Sequence, residues 1–218
     1  MSWRTIAVFL LVGALSGCAS TESVQVSSIT AKNAYVGDKT FTIVSDDYRP
    51  IESDLGFVEY ARQVSDVLRE QGYVAVKKPS DAKMLIALSY HVGPPQTQTQ
   101  IVNMPVYPMR GPVYAPGFGY YYPMWNYPLY EPMVYQFTVY SKWLRLQAID
   151  AAAYAKDKTV KPLWDAQAVS NNENGDLRYM FPYMLTALKP YIGTDSGHAV
   201  DVSVPIDSPD VQALRVGQ

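Results

Sequence analysis

Val134-Tyr135-Gln136-Phe137-Thr138-Val139-Tyr140-Ser141-Lys142-Trp143-Leu144-Arg145-Leu146-Gln147-Ala148 is the stretch on which the fold turns. Tyr135, Phe137 and Val139 alternate with Gln136, Thr138 and Tyr140, the period-two pattern of a half-buried strand. From Trp143 the apolar parity changes, and Leu144, Leu146 and Ala148 take over. A one-residue shift of parity predicts a bulge or tight turn near Ser141–Trp143. Downstream, Leu163 to Ser170 reads as a hairpin partner beyond the polar turn Lys156-Asp157-Lys158. A helix follows from about Asp176 to Lys189, with Leu177, Met180, Met184 and Leu188 on one face. Pro182 is expected to kink it or to mark its true start. After Gly193 comes a tail, with a short strand at Ala199–Val204.

Upstream, Lys83 to Val92 forms another strand. Met84, Ile86, Leu88, Tyr90 and Val92 share one face, and Leu85, Ala87, Ser89 and His91 the other. Before it lies a helix that Ser53 or Asp54 can cap and Gly72 can end. Phe57, Ala61, Val64 and Leu68 recur at helical spacing along one side. Tyr73 to Val76 is a short strand leaving that helix, and Phe41, Ile43 and Val44 suit a first strand near Thr40. The pattern predicts an α+β fold. Two layers are expected, a mostly antiparallel sheet with two helices on one face.

Residues 93–132 differ in composition. The segment carries only two charged side chains, Arg110 and Glu131, among repeated prolines, glycines and tyrosines. Proline fixes φ and removes a donor, so helices and central strands are excluded. The segment reads as an insertion, extended or looped. Tyr114, Phe118, Tyr120, Tyr121, Tyr122, Trp125, Tyr127 and Tyr130 give it a dense amphipathic aromatic set. Such side chains suit sugar stacking, partner anchoring or the headgroup layer of a membrane.

The chain has 218 residues, a net charge of −2 and only 17% charged side chains. No block of basic residues marks a nucleic-acid partner. The single cysteine, Cys18, permits no intramolecular disulfide. It follows Leu15-Ser16-Gly17, after Arg4 and an apolar run from Ile6 to Leu15. Ten helical residues rise only ~15 Å, about half of a bilayer core, so the run is an export signal rather than a span. Leu15-Ser16-Gly17-Cys18 resembles a bacterial lipobox. The resemblance implies cleavage before Cys18, acyl chains on Cys18 as the membrane anchor, and, with Ala19 in place of an aspartate, the outer membrane. The expected organisation is a signal peptide at 1–17 and a lipidated polar tether at 18–37. A single domain at 38–205, interrupted at 93–132, and a C-terminal tail at 206–218 complete it.

Beyond the insertion come LeuArgLeuGlnAlaIleAspAla from Leu144, ProLeuTrpAspAlaGlnAlaValSer from Pro162, and PheProTyrMetLeuThrAlaLeu from Phe181. ValAspValSerValPro, from Val200, closes the series. With Thr40-Phe41, Gly72-Tyr73, Ser80-Asp81-Ala82 and Tyr90-His91 earlier, this order resembles the bacterial lipoprotein family called domain of unknown function 4136, over roughly residues 38–205. The resemblance implies a fold and a location and lends no catalytic residue.

Candidate chemistry is sparse. His91 and His198 have no companion at metal-ligand spacing. Asp195-Ser196-Gly197-His198 holds triad residue types outside a nucleophile elbow and reads as a turn. Asp46-Asp47 and Asp207 to Asp210 lack calcium-loop spacing. Asp150 and Asp165 lie across the proposed hairpin and read as solvated strand ends rather than a hydrolytic pair. Gly117-Phe118-Gly119 does not stand between strand and helix as a phosphate loop must. No catalytic, metal or cofactor site is assigned. The expectation is a non-catalytic, lipid-anchored protein at the periplasmic face of the outer membrane, with a structural or adaptor role toward an envelope protein. The alternative is a module for glycan, such as cell-wall glycan, or peptide, using the Tyr/Trp-rich insertion.

Overall fold

A computed structural model describes residues 20–32, 37, 39–46, 54–106, 113–114, 117, 121–122 and 129–216. The chain forms two units: a body up to Gly93 and from Tyr140 onward, and a ribbon, Pro94–Val139. The fold is α+β, with ten strands and four helices described. The strands are β1 (Thr21–Thr30), β2 (Thr40–Val44), β3 (Val74–Ala75), β4 (Met84–Val92), β5 (Gln96–Val106), β6 (Val113–Tyr114), β7 (Tyr121–Tyr122), β8 (Leu129–Asp150), β9 (Pro162–Asn172) and β10 (Val200–Pro205). The helices are α1 (Leu55–Glu70), α2 (Ala151–Asp157), α3 (Leu177–Leu188) and α4 (Pro209–Val216).

Eight strands make one mixed open sheet in the order β10-β1-β9-β8-β4-β2-β3, with β5 paired to β8 alone. Pairing is antiparallel from β10 to β4, and parallel where β4 meets β2 and β2 meets β3.

Local chemistry sets the helix ends. Asp54 caps α1 by accepting from Gly56 N at 2.9 Å and Phe57 N at 3.2 Å. Gly72, at φ 82°, ends it, and Tyr73 N closes a six-residue loop onto Leu68 O at 3.0 Å. Only glycine takes that left-handed turn cheaply. Asp176 caps α3 through Arg178 N at 2.8 Å. Pro182 lies inside the helix, so the carboxylate and not the proline sets the start.

The main core joins one face of the sheet to α1, α3 and α4. Val24, Val26, Ile86, Leu144, Leu146, Ala166 and Ala168 meet Val64, Leu68, Phe181, Met184, Leu188 and Val211 there. Tyr60 stacks on Phe181 at 4.2 Å and meets Tyr90 edge-on at 4.8 Å. Burial and then the nearby Glu59 push the Tyr60 hydroxyl up to about 12. A smaller cluster of Val44, Ala82, Leu85, Ala87, Ile149 and Ala151 includes the first residue of α2.

Several expectations are corrected. The tether at 18–37 is in part a strand, since β1 lies between β10 and β9 with Val24, Val26 and Ser28 buried. Two valines suffice because ladders on both sides, rather than apolar bulk, hold the strand in place. The tail at 206–218 contains α4, whose Val211 and Leu214 are buried one helical turn apart. The Lys156-Asp157-Lys158 turn is the end of α2. Asp150 caps that helix at Ala152 N and Ala153 N, and Lys158 ends it at φ 62°.

The bulge expected near Ser141–Trp143 falls on the opposite side. Val92 pairs with Lys142 and Gln96 with Val139, so Gly93 to Pro95 stand against Tyr140 and Ser141. The insertion at 93–132 is not loop throughout, for β5 pairs with β8 over eleven registered positions, from Gln96↔Val139 to Val106↔Leu129. Pro105 and Pro132 fit a ribbon whose two strands pair, among the described residues, only with each other, since proline is tolerated at an edge position with its nitrogen turned away from the ladder.

Candidate functional site

In the ribbon, register decides which side chains share a face. One face holds Val102, Met104 and Val106 with Phe137, Tyr135, Met133 and Leu129. The other holds Thr97, Thr99, Ile101 and Asn103 with Thr138, Gln136, Val134 and Tyr130. Ile101 is 68% exposed, Val134 62% and Tyr130 65%. Glu131 is the only charged residue in the two paired stretches, Gln96–Val106 and Leu129–Val139. A two-stranded ribbon is marginal alone in water, and contiguous exposed apolar surface marks a contact region.

Of the eight aromatic candidates, Tyr130 lies exposed on β8. The backbones of Tyr114, Tyr121 and Tyr122 belong to the pair β6–β7, with Tyr114 opposite Tyr121 and Val113 opposite Tyr122. Phe118, Tyr120, Trp125 and Tyr127 lie outside the described residues, as do Cys18 and the export segment.

The body has a second surface. The face of the sheet opposite the main core carries Trp143, Arg145 and Gln147 on β8 and Asp165 and Gln167 on β9. Arg145 Nε donates to Asp165 Oδ1 at 3.0 Å and Oδ2 at 2.9 Å, and its Nη2 also reaches Oδ2. Gln147 adds a donor to Asp165 at 3.2 Å. Gln167 donates to Ser27 at 3.0 Å and accepts from Trp143 Nε1 at 3.4 Å. Six side chains on three strands, Ser27 of β1 included, are thus tied into a polar sheet surface. Beside it, Asp165, Gln167, Ser27 and the Asp195–Ala199 turn line an open depression of about 370 Å³.

The residues weighed for chemistry have other work. Ser196 Oγ donates its one proton to the nearer carbonyl, that of His198 at 2.7 Å, lies 3.2 Å from the Ser28 carbonyl and accepts from Ser28 N, and Asp195 accepts from Gly197 N at 2.8 Å. The four residues form a turn that holds β1, with His198 offering its carbonyl rather than its ring to Ser196. Asp150 is a helix cap, and Asp165 is held by Arg145. Asp210 meets Lys189, while Asp207 lies exposed within the Pro205–Ser208 turn. His91 is exposed opposite Trp143, across the β4–β8 ladder. Among the described residues, no three His, Cys, Asp or Glu side chains converge as a metal site, and no helix is long and apolar enough to cross a membrane.

Lys142 escaped the reading of the sequence, yet it is 0% exposed. Its ammonium donates to Tyr140 O at 3.1 Å, Asn172 Oδ1 at 2.7 Å and Asn174 O. Burial lowers its pKa, and the nearby Glu22 partly opposes that. Three acceptors match its three protons, so the cation pins the β9–α3 connection. Its parity with Leu144, Leu146 and Ala148 was the available signal.

No protein-family model matches this chain, and no curated protein matches it. Solved structures resemble it in backbone course. One is a PDZ domain protein from Parabacteroides distasonis, with a TM-score of 0.46 and 14% identity, covering 94% of this chain and 44% of that one. This chain therefore spans less than half the length of that structure. Another is a PelC dodecamer from Paraburkholderia phytofirmans, with a TM-score of 0.39 and 11% identity, covering 78% of this chain and 98% of that one. Neither likeness bears on what this chain binds or does.

Proposed function

We propose that this chain is a lipid-anchored lipoprotein of the bacterial outer membrane, of the kind grouped as domain of unknown function 4136, and that it works without catalysis as an adaptor. Leu15-Ser16-Gly17-Cys18 carries the reading: a short apolar run ends in small residues before the only cysteine. Acyl chains on Cys18 confine the body to a thin layer and raise its effective concentration toward membrane-bound partners. In this reading the fold is a two-layer support, with α1, α3 and the short α4 over one face of the sheet, that carries the contact surfaces. The docking surface is the ribbon, supported by its exposed Ile101, Val134 and Tyr130 and its near absence of charge. Periplasmic exposure fits an envelope protein as partner.

The test is made in the exporting cell. Intact mass should show acyl chains on Cys18, and Cys18→Ser should release the chain from outer-membrane fractions. A photo-crosslinker at Val134 should give a defined adduct that competes away with excess partner domain. An unmodified thiol, or unchanged fractionation of Cys18→Ser, overturns the anchor. A silent Val134 overturns the docking role.

A second reading, a glycan or peptide module, is favoured by one observation. Among the described residues, β5 and the Leu129–Val139 part of β8 pair only with each other, which leaves each an outer edge on which a peptide strand can add. Titration of oligosaccharides and extended peptides against intrinsic fluorescence separates the two, since an adaptor for a folded protein responds to neither.

A further inference from the structure

We infer that one end of the body, bearing Ser20, Thr21, Glu173 and the turn Pro205–Ser208, is the surface that lies against the lipid bilayer. The inference rests on the reading of Cys18 as the acylated residue, and it replaces the free reach that a long tether would have given.

A flexible chain of some twenty residues has an end-to-end distance of roughly 25 Å and leaves a domain free to turn. This chain has no such length to use. Strand β1 begins at Thr21, and the Ser20 carbonyl already accepts from Ile206 N at 3.0 Å. Only Ala19 stands between Ser20 and Cys18. Two residue steps span at most about 7 Å when fully extended. Acyl chains on Cys18 enter the bilayer at headgroup level, so Ser20 is held within about 10 Å of that level.

Strand register shows what else is held there. Thr21 pairs with Pro205 of β10. Asn172, at the end of β9, donates to Glu22 at 2.9 Å. Tyr140 pairs with Asn172, and Gly93 N donates to Ser141 O at 2.8 Å. The positions where the body's chain passes into the ribbon are therefore at the same end as Thr21.

The opposite end holds Thr30, which pairs with Trp164, and Asp150, which pairs with Met84 and leads into α2. Ten residues of β1 separate the two ends by about 33 Å. That separation exceeds the leash several times over. Ile206, 39% exposed, supplies an apolar side chain at the near end.

The full-length chain is exported, acylated and reconstituted in phosphatidylethanolamine–phosphatidylglycerol vesicles containing headgroup-nitroxide lipid. Asp207→Cys and Glu173→Cys place a fluorophore at the near end, independently of each other. Lys156→Cys places one on α2. Quenching is expected to be several-fold stronger at 207 and 173 than at 156. A twenty-residue Gly/Ser insertion between Ala19 and Ser20 should bring the three values together. Equal quenching in the uninserted chain, or stronger quenching at 156, overturns the orientation. Intact mass of the same samples separates the two failures. A missing acyl group sinks the anchor and the orientation together, whereas an acylated chain with equal quenching sinks the orientation alone.

Discussion

Strand β8 offers a comparison within a single element. From Lys142 to Asp150 it has β4 on one side and β9 on the other, and Leu144, Leu146 and Ala148 are fully buried under the helices of the body. From Leu129 to Val139 its only neighbour among the described residues is β5, and Met133, Val134 and Tyr135 are exposed. The two halves show similar alternation of apolar and polar residues. Burial is set by the number of neighbours and by a covering layer, which the strand's own pattern does not encode. The body therefore carries the stability, and the ribbon presents surface.

The largest test of that contrast removes each region. Deleting Thr21–Thr30 takes the strand between β10 and β9 out of the sheet, and the expected result is loss of cooperative thermal unfolding by circular dichroism. Replacing Pro94–Val139 with Asn-Gly joins two strands that are already antiparallel neighbours, and should move Tm by less than about 4 °C. A body that melts without its ribbon would break the comparison.

Single substitutions sharpen it. Phe181→Ala, at a fully buried ring stacked on Tyr60, should cost about 3–5 kcal/mol in urea unfolding. Val134→Ala in the ribbon should stay within about 0.5 kcal/mol. Similar losses at the two positions would mean that the ribbon is covered.

Lys142→Met keeps volume and removes a buried cation, but it leaves Tyr140 O, Asn172 Oδ1 and Asn174 O without their donor. The expected loss is about 1–3 kcal/mol. A gain in stability would show that desolvation of the ammonium outweighs its three bonds.

The smallest effect concerns pH. Glu70 first, and Asp210 after it, raise the pKa of Lys189 above the ordinary 10.5. The folded chain then keeps that proton to higher pH than the unfolded chain does. The stability it contributes is complete below 10.5 and is lost as pH rises through the higher folded value. Both carboxylates are more than half exposed, so the contribution is below about 1 kcal/mol. Urea midpoints of wild type and Lys189→Met should differ at pH 9 and converge at pH 12. A gap that persists at pH 12 would assign the effect to packing of the lysine stem.

Legibility followed local signal strength. Helix α1 announced itself by a carboxylate cap, a terminal glycine and an apolar face of helical period. Strands β4 and β8 declared themselves by alternation, and β9 as the expected partner downstream of β8. Strand β1 did not, because Ser23-Val24-Gln25-Val26-Ser27-Ser28 has only two apolar residues and the composition of a linker. Helix α4 was hidden by brevity, since two buried residues, Val211 and Leu214, make a weak period. The Arg145–Asp165–Gln147 network was not read: Asp165 was taken as a solvated strand end, and its meeting with Arg145 and Gln147 depends on strand order and register.

The amino-acid sequence by itself determined the α+β class, the cap and the terminal glycine of α1, and the faces of β4 and β8. These are written in consecutive residues, where hydrogen-bonding geometry and side-chain period act over a few positions. Tertiary structure alone decided that Thr21–Thr30 fills the gap between β9 and β10, that Lys142 is buried among three acceptors, and that half of β8 stands uncovered. Each of those outcomes depends on which distant segment arrives alongside, and no short stretch of chain carries that information.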